Sequence, residues 1–485
     1  MLSLYCLAVL IHLAGTAMNL NRKLLTLSVA LIPKRTAMSG IHRDVYLFAT
    51  PKTFIADHYI TADVTPGAKA SDDGSATTKV ALTVCNRDKQ AASKQIKVKL
   101  YDPSGQLLSS VDADATFAAG DSVKTVTADF GTLSGLKLWS ADRPTLYTFE
   151  VSQQDNGQEE EAFSTKFGFC KVSLANKYFE INGQRTYLKG ANLQDTDPIN
   201  GRTYGLDLMI KDITMMKQAN MNAVRTSHYP RSPKMMALFD YYGMYIVDEA
   251  DQECHKNWVD NNSIVTDPTW EGAIVDRIVR MTLRDRNHPC VVFWSLGNES
   301  GVGQNIYTAY DSVRALDYRP VHYERSQGGQ GTDMFSVQYP AVSTVNYYVN
   351  NTYYKPYYLS EYAHAMGNGV GNLKEYWQTI IGSPQGIGGT IWDWVDQSIY
   401  SADDIKSGNL TDAHGFPRYI SGYDCPTPSD GNFVNNGLLN ADRKWSSGAQ
   451  RGRNECCRRF PRPAHQLGSL QLAVVADFRY VVLRY

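Results

Sequence analysis

Two glutamates stand where an apolar run gives out. Glu299 follows Val291–Ser295 in VVFWSLGNESG, and Glu361 lies at the end of the run in YYLSEYAHAMGNG. A carboxylate delivered to the end of a buried segment is costly unless it is paired or put to use. A lone glutamate in such a place reads as half of a structural ion pair. Two in matching contexts read equally well as a working couple, one carboxylic acid giving a proton while the other carboxylate attacks, which is the equipment for cleaving a glycosidic bond. Other polar groups end neighbouring runs: Arg225 and His228 in NAVRTSHYP, Asp248 and Glu249 in YIVDEADQECH, Tyr339 after MFSVQ, and Trp392, Asp393 and Trp394 in TIWDWVDQS. A single histidine such as His228 or His364 is more often structural than catalytic. Arg, His, Asn, Glu, Tyr and Trp gathered on one face would suit an uncharged, polyhydroxylated ligand.

Something must bring these ends together. From Val172 onward, short apolar runs alternate with helical spacing, and eight runs read as strands: TYLKGAN, NAVRTS, MYIVDEA, VVFWSL, PVHYE, MFSVQY, YYLSEY and GGTIWDW. Leu206, Met209, Ile210, Ile213 and Met216 fall on one helical face, as do Ile274, Ile278 and Met281, the latter opened by Asp267 and Pro268. Eight strands buried on both faces with crossovers between them predict a (β/α)8 TIM barrel over residues 173–444, whose reacting groups would sit at the strands' C-terminal ends. A doubly wound sheet is the alternative, but no Gly-rich phosphate loop follows the first strand.

Residues 56–172 follow period two instead. Val80, Leu82 and Val84 share one face, as do Ile96, Val98 and Leu100, and Tyr147, Phe149 and Val151, the last run ending in Asn156-Gly157. This spacing predicts an immunoglobulin-like β-sandwich ahead of the barrel, giving a multidomain β and α/β chain.

At 485 residues the chain has material for two or three domains. The net charge of -1 leaves no electrostatic footprint for nucleic acid or an anionic membrane, so neither partner is expected. Eight cysteines without a C-x-x-C pair read as reduced core residues, and no apolar stretch is long enough to span a bilayer. The N-terminal run MLSLYCLAVLIHLAGTAM has the apolar core and small residues of a secretory signal but no basic start, which favours a cytoplasmic location over a secreted or periplasmic one.

SLGNESGVG, LSEYAHAMGNG, NAVRTSHYP, YIVDEADQECH, RDRNHP and TIWDWVDQS together resemble the signature segments of family 2 glycoside hydrolases, in the β-galactosidase branch. The resemblance runs from about Ser39 to about Lys444. It implies a retaining double displacement on terminal β-D-galactosyl residues, with Glu299 as general acid/base and Glu361 as nucleophile. It also implies that Asn298 bonds the sugar 2-hydroxyl, that Arg225 supports Glu361, and that His228, Tyr339, His364 and Trp392 contact or assist the galactosyl group. Glu253, His255 and Glu299 would hold Mg²⁺, while Phe433 and Asn436 would lie beside a Na⁺-linked part of the pocket. Members are often homo-oligomers. Gln194, in LQDTDP, stands where the family has a histidine that helps stabilise the transition state.

The resemblance also implies a jelly-roll sugar-binding domain before the sandwich and further β-domains after the barrel. Residues 1–55 are accordingly expected to be a leader plus the remnant of that first domain. Residues 445–485, Arg-rich and following neither period until LQLAVVADFRYVVLRY, read either as a basic tail or, from the break in composition, as the product of a reading-frame slip or an incomplete gene. Two competing readings stay open: a catalytically inactive fragment of such an enzyme, and a sibling β-glucuronidase or β-mannosidase.

Overall fold

The computed structural model describes residues 41–445 apart from 47, 70, 175–177, 352–354, 368, 425–430 and 432. The N-terminal leader and the tail beyond residue 445 therefore lie outside the described residues.

The alternating segment forms two antiparallel sheets. One pairs Thr53–Thr65, Gly74–Asn86 and Val123–Leu136; the other runs Leu107–Asp112, Ala92–Tyr101, Tyr147–Asp155, Gln158–Phe167, with Ala115–Phe117 beside Ala92–Tyr101. All nine residues that the period of two places inward are buried in one core. Asn156 and Gly157 both take positive φ, 50° and 79°, as the tight turn between the last two strands requires.

The second half is a barrel of eight parallel strands, and each of the eight apolar runs supplies one. In chain order they are Leu188–Asn192, Ala223–Arg225, Tyr245–Glu249, Val291–Ser295, Val321–His322, Phe335–Gln338, Tyr357–Tyr362 and Gly386–Ile391. The first strand pairs with both the second and the eighth. That last pairing is close: a Cβ at Gly388, whose φ is +123°, would stand 2.1 Å from the Leu188 carbonyl oxygen, so only glycine fits. Between the fifth and sixth strands the ring is stitched by Asp333, whose amide donates to the Val321 carbonyl (2.7 Å) and whose carboxylate accepts from the Val321 amide (2.7 Å).

Helices Leu206–Gln218, Pro233–Tyr242, Glu271–Asp285, Gln304–Leu316, Val342–Asn350 and Leu373–Gly382 cover the outside. Met209, Ile213 and Met216 turn inward on the first, and Ile274, Ile278 and Met281 on the third. Asp267 caps a 3-10 turn, Pro268–Trp270, and the α-helix itself starts at Glu271, because the proline-led turn tightens before the α spacing begins. Among the described residues, the fifth-to-sixth crossover carries no α-helix, only the 3-10 turn Glu324–Ser326.

The sandwich docks where the barrel strands begin. Asn287, ahead of the fourth strand, clamps the backbone of the first sandwich strand, donating to the His58 carbonyl (2.9 Å) and accepting from the Ile60 amide (3.0 Å). Arg286 lies over the Tyr59 ring at 4.2 Å and pairs with Asp57. The buried Trp139 indole donates to the Asp240 carbonyl, 2.9 Å away. The strands finish at the opposite end of the barrel, the end to which Glu299 and Glu361 are delivered.

Candidate active site

The fourth strand ends at Ser295, and Gly297, at φ 140°, turns the chain so that Asn298 and Glu299 enter the mouth. Glu361 is the penultimate residue of the seventh strand and the register partner of Gln338, the last of the sixth. Glu361 is almost fully buried and each oxygen is addressed: Oε1 accepts from Arg225 Nη1 (2.7 Å) and Gln338 Nε2 (2.9 Å), Oε2 from the Tyr339 hydroxyl (2.6 Å). Burial alone would push its pKa up; Arg225⁺, His228 and the Tyr339 and Arg225 hydrogen bonds outweigh that and hold it below the ordinary glutamate value. Glu361 is thus kept as an anion.

Arg225, from the second strand, is wholly buried and organises the floor. Its Nε donates to Glu249 (2.7 Å), Nη1 also to Asn192 (3.0 Å), and Nη2 to Asn298 (2.9 Å). Glu249 accepts further from the Ser295 hydroxyl (2.7 Å) and pairs with His228 Nδ1 (2.7 Å). Burial opposes its charge, yet Arg225 and His228 bring its pKa down to about 2. Burial likewise opposes the charged form of His228, but Glu253 and Glu249 carry its pKa above the usual histidine value. The His228 ring stacks on Trp392, centroids 5.1 Å apart and planes within 13°.

Glu299 is placed differently. Burial raises its pKa, the nearby Glu361 charge adds to that rise, and His255 and Arg325 only partly offset the two. It touches His255 Nδ1 and accepts from Arg325 Nη2 at 3.1 Å. One carboxyl group is therefore driven toward its ionised form and its neighbour toward its protonated form, the division that acid-assisted cleavage needs.

Glu253, His255 and Glu299 offer ligand atoms all within 4.8 Å of one another. Two carboxylates and an imidazole converging at that range fit a small divalent cation, which would complete its shell with water. Asn298 Nδ2 also donates to Glu253, 3.1 Å away. The half-buried His364 packs between Tyr339 (centroids 5.5 Å) and Phe433 (6.2 Å). Asn436 donates through Nδ2 to the Phe433 carbonyl (2.6 Å), and its backbone carbonyl accepts from the Asp393 amide beside Trp392 (2.9 Å). Phe433 itself is exposed and makes no hydrogen bond to either glutamate among the described residues. Gln194 accepts from Arg202 at 3.0 Å.

The candidate residues therefore meet at one mouth. Four more belong to it that sequence reasoning did not single out. Asn192 and Gln338 end the first and sixth strands, and that position was itself a usable signal. Glu324 closes the fifth run, PVHYE, a signal of the same kind, whereas Arg325 follows it on the helix-free crossover and nothing in spacing marked it. The buried Glu324 carboxyl is pushed up to about 7 by burial, against the pull of Arg325.

The comparisons with known proteins agree with this geometry. The family model for the TIM barrel domain of glycosyl hydrolases family 2 matches residues 172–458, and a second family 2 model matches residues 53–169. A curated β-galactosidase from Priestia megaterium is 35% identical over 421 residues, 84% of this chain and 39% of that protein, so the chain spans about two fifths of its relative. Among solved structures, a β-glucuronidase from Bifidobacterium dentium superposes with a TM-score of 0.65 at 21% identity, covering 85% of this chain and 67% of that one. A family 2 member from Bacteroides cellulosilyticus gives 0.62 at 19% identity, covering 82% and 49%. At these identities the superpositions speak for the fold alone. No helix among the described residues is long and apolar enough to cross a membrane.

Proposed function

The chain belongs to family 2 of the glycosyl hydrolases, and on that premise we propose that it carries the catalytic machinery of a retaining β-galactosidase acting on terminal non-reducing β-D-galactosyl residues. The observation that supports this most is the opposed state of the two carboxyl groups at one barrel mouth: Glu361 is held anionic by Arg225 and Tyr339, and Glu299 is biased toward its acid form. The galactosyl preference draws on the Priestia megaterium relative, which bears that name.

In this reading the first step breaks the bond between the anomeric carbon and the leaving oxygen. Glu361 Oε2 attacks the carbon while Glu299 passes its proton to the departing oxygen. As charge drains from Glu361 into the new bond, Glu299, now ionised, takes a proton from water, and the water oxygen displaces Glu361 with a second inversion. Asn298 reaches the 2-hydroxyl; His228 and Trp392 form one wall, and Tyr339 and His364 another. Glu253, His255 and Glu299 would hold Mg²⁺, which when bound supplies fixed positive charge beside the acid/base. Asn436, whose buried Oδ1 has no hydrogen-bond partner among the described residues, and Phe433 would border a Na⁺-linked part of the pocket.

A panel of p-nitrophenyl β-glycosides tests the assignment. The β-galactoside should be hydrolysed with kcat/KM at least about tenfold above the β-glucuronide and β-mannoside, a gap of roughly 1.4 kcal/mol in transition-state binding. With EDTA present, activity should fall at low pH only below the ordinary carboxylate range, as Glu361 takes up a proton, and at high pH only above it, as Glu299 loses one. A glucuronide preferred over the galactoside would transfer the reading to the sibling activity, and no turnover of any member would favour an inactive fragment.

A further inference from the structure

The fifth-to-sixth crossover has no helix to fill it, and the 3-10 turn Glu324–Ser326 followed by Gln327 (φ 45°) and Gly328 (φ 78°) sends Arg325 into the mouth instead. Its guanidinium is held by a ring face, an ionic contact and two hydrogen bonds. Cζ lies 4.4 Å from the centroid of the Trp258 ring. Nε stands 2.7 Å from Glu324 Oε2, an ionic contact rather than an aligned hydrogen bond. Nη2 donates both to Glu299 Oε1, 3.1 Å away, and to the Gln338 side-chain oxygen. Gln338 in turn donates from Nε2 to Glu361 Oε1 at 2.9 Å. An unbroken line of side chains thus joins one reacting carboxyl group to the other: Glu299, Arg325, Gln338, Glu361.

We propose that Arg325 is a positioning residue that holds the Glu299 carboxyl at its proton-donating station relative to Glu361. This rests on the glycosidase reading above. Glu299 stands on a loop, four residues past its strand, and among the described residues its other ionic contact is His255, which is about half exposed (53%) on a short helix. A fork of N–H groups stacked on a tryptophan face is a far stiffer anchor than an exposed imidazole. An arginine serving merely to neutralise Glu324 would need neither the Glu299 bond nor the Gln338 bond.

The two roles separate by leaving group. Cleaving an alkyl galactoside requires Glu299 to deliver its proton as the carbon–oxygen bond breaks, because an alkoxide is a poor leaving group. A 2,4-dinitrophenolate departs as the anion and needs no proton. The experiment measures kcat/KM, which reports the first irreversible step, for the full chain and for Arg325→Gln and Arg325→Lys on 2,4-dinitrophenyl and ethyl β-galactosides, with melting curves to compare folding. The expected result for Arg325→Gln is a loss of about 10²-fold on the ethyl substrate and under about threefold on the dinitrophenyl one, the size of a general-acid contribution. Arg325→Lys, keeping charge but not the fork, should fall between. An active wild type with Arg325→Gln losing the same factor on both substrates, or on neither, overturns the assignment alone. A wild type inert on both overturns the galactosidase reading and this assignment with it.

Discussion

Glu361→Gln should abolish turnover without unfolding the chain. The amide has the volume of the carboxyl group; its oxygen on the Oε1 side can still accept from Arg225, now 2.7 Å away, and its NH2 can donate to the Tyr339 hydroxyl, which now donates to Oε2 at 2.6 Å. What it lacks is a charge to form the bond to the anomeric carbon. The expected fall in kcat/KM is at least about 10⁴-fold, the order seen when one member of a catalytic unit is removed. Glu361→Ala, which opens a space beneath the sugar, should regain activity on an activated aryl galactoside when azide is added, and the product should be the α-galactosyl azide, since the small anion enters from the face that Glu361 occupies. A β-azide would mean that the nucleophile stands elsewhere.

The second large effect is on stability. Arg225 is buried among Glu249, Glu361, Asn192 and Asn298. Replacing it with methionine, of similar reach, takes the guanidinium from two buried carboxylates, Glu361 and Glu249, and leaves Glu249 with His228 alone as its basic partner; breaking a buried ion pair from one side costs about 3 to 5 kcal/mol. Urea denaturation should show a loss in that range, with the m-value unchanged. The same variant should raise the pKa of Glu361, because the charge that opposes the effect of burial is gone, and the acid limb of kcat/KM should move to higher pH. Arg225→Met with wild-type stability would show that the network around it is not what holds the floor of the mouth together. Adding Glu249→Gln to Arg225→Met should recover part of the loss, since one of the stranded charges is then removed.

The eight strands were legible because parallel strands buried on both faces must be written as short apolar runs, and VVFWSL or MYIVDEA admits little else. The sandwich was legible for the opposite reason: one wet face imposes alternation, and Val80, Leu82 and Val84 keep it without a break. Glu299 and Glu361 stood out because each interrupts such a run. Gln338 marked a strand end but did not stand out in the same way, since a glutamine before a tyrosine has no periodicity to violate, and its bond to Glu361 follows from a register that only pairing reveals. Arg325 was less visible still. Its place depends on a crossover that lacks a helix and on a turn with two left-handed residues, properties of a loop's path rather than of its composition. Asp333 closes the ring by a carboxylate-to-amide bond for the same kind of reason.

The claim beneath all of this is that the Glu361 oxygen becomes covalently bonded to the sugar. Incubating the full chain with a 2-deoxy-2-fluoro-β-galactosyl donor bearing a good leaving group slows the second displacement more than the first, so an intermediate should accumulate. Mass spectrometry of the digested protein should then show one fluorogalactosyl unit on the peptide containing YYLSEYAHAM, at Glu361, and none on the peptide containing Glu299. A label on any other residue, or steady turnover with inverted anomeric configuration and no label at all, would contradict the account.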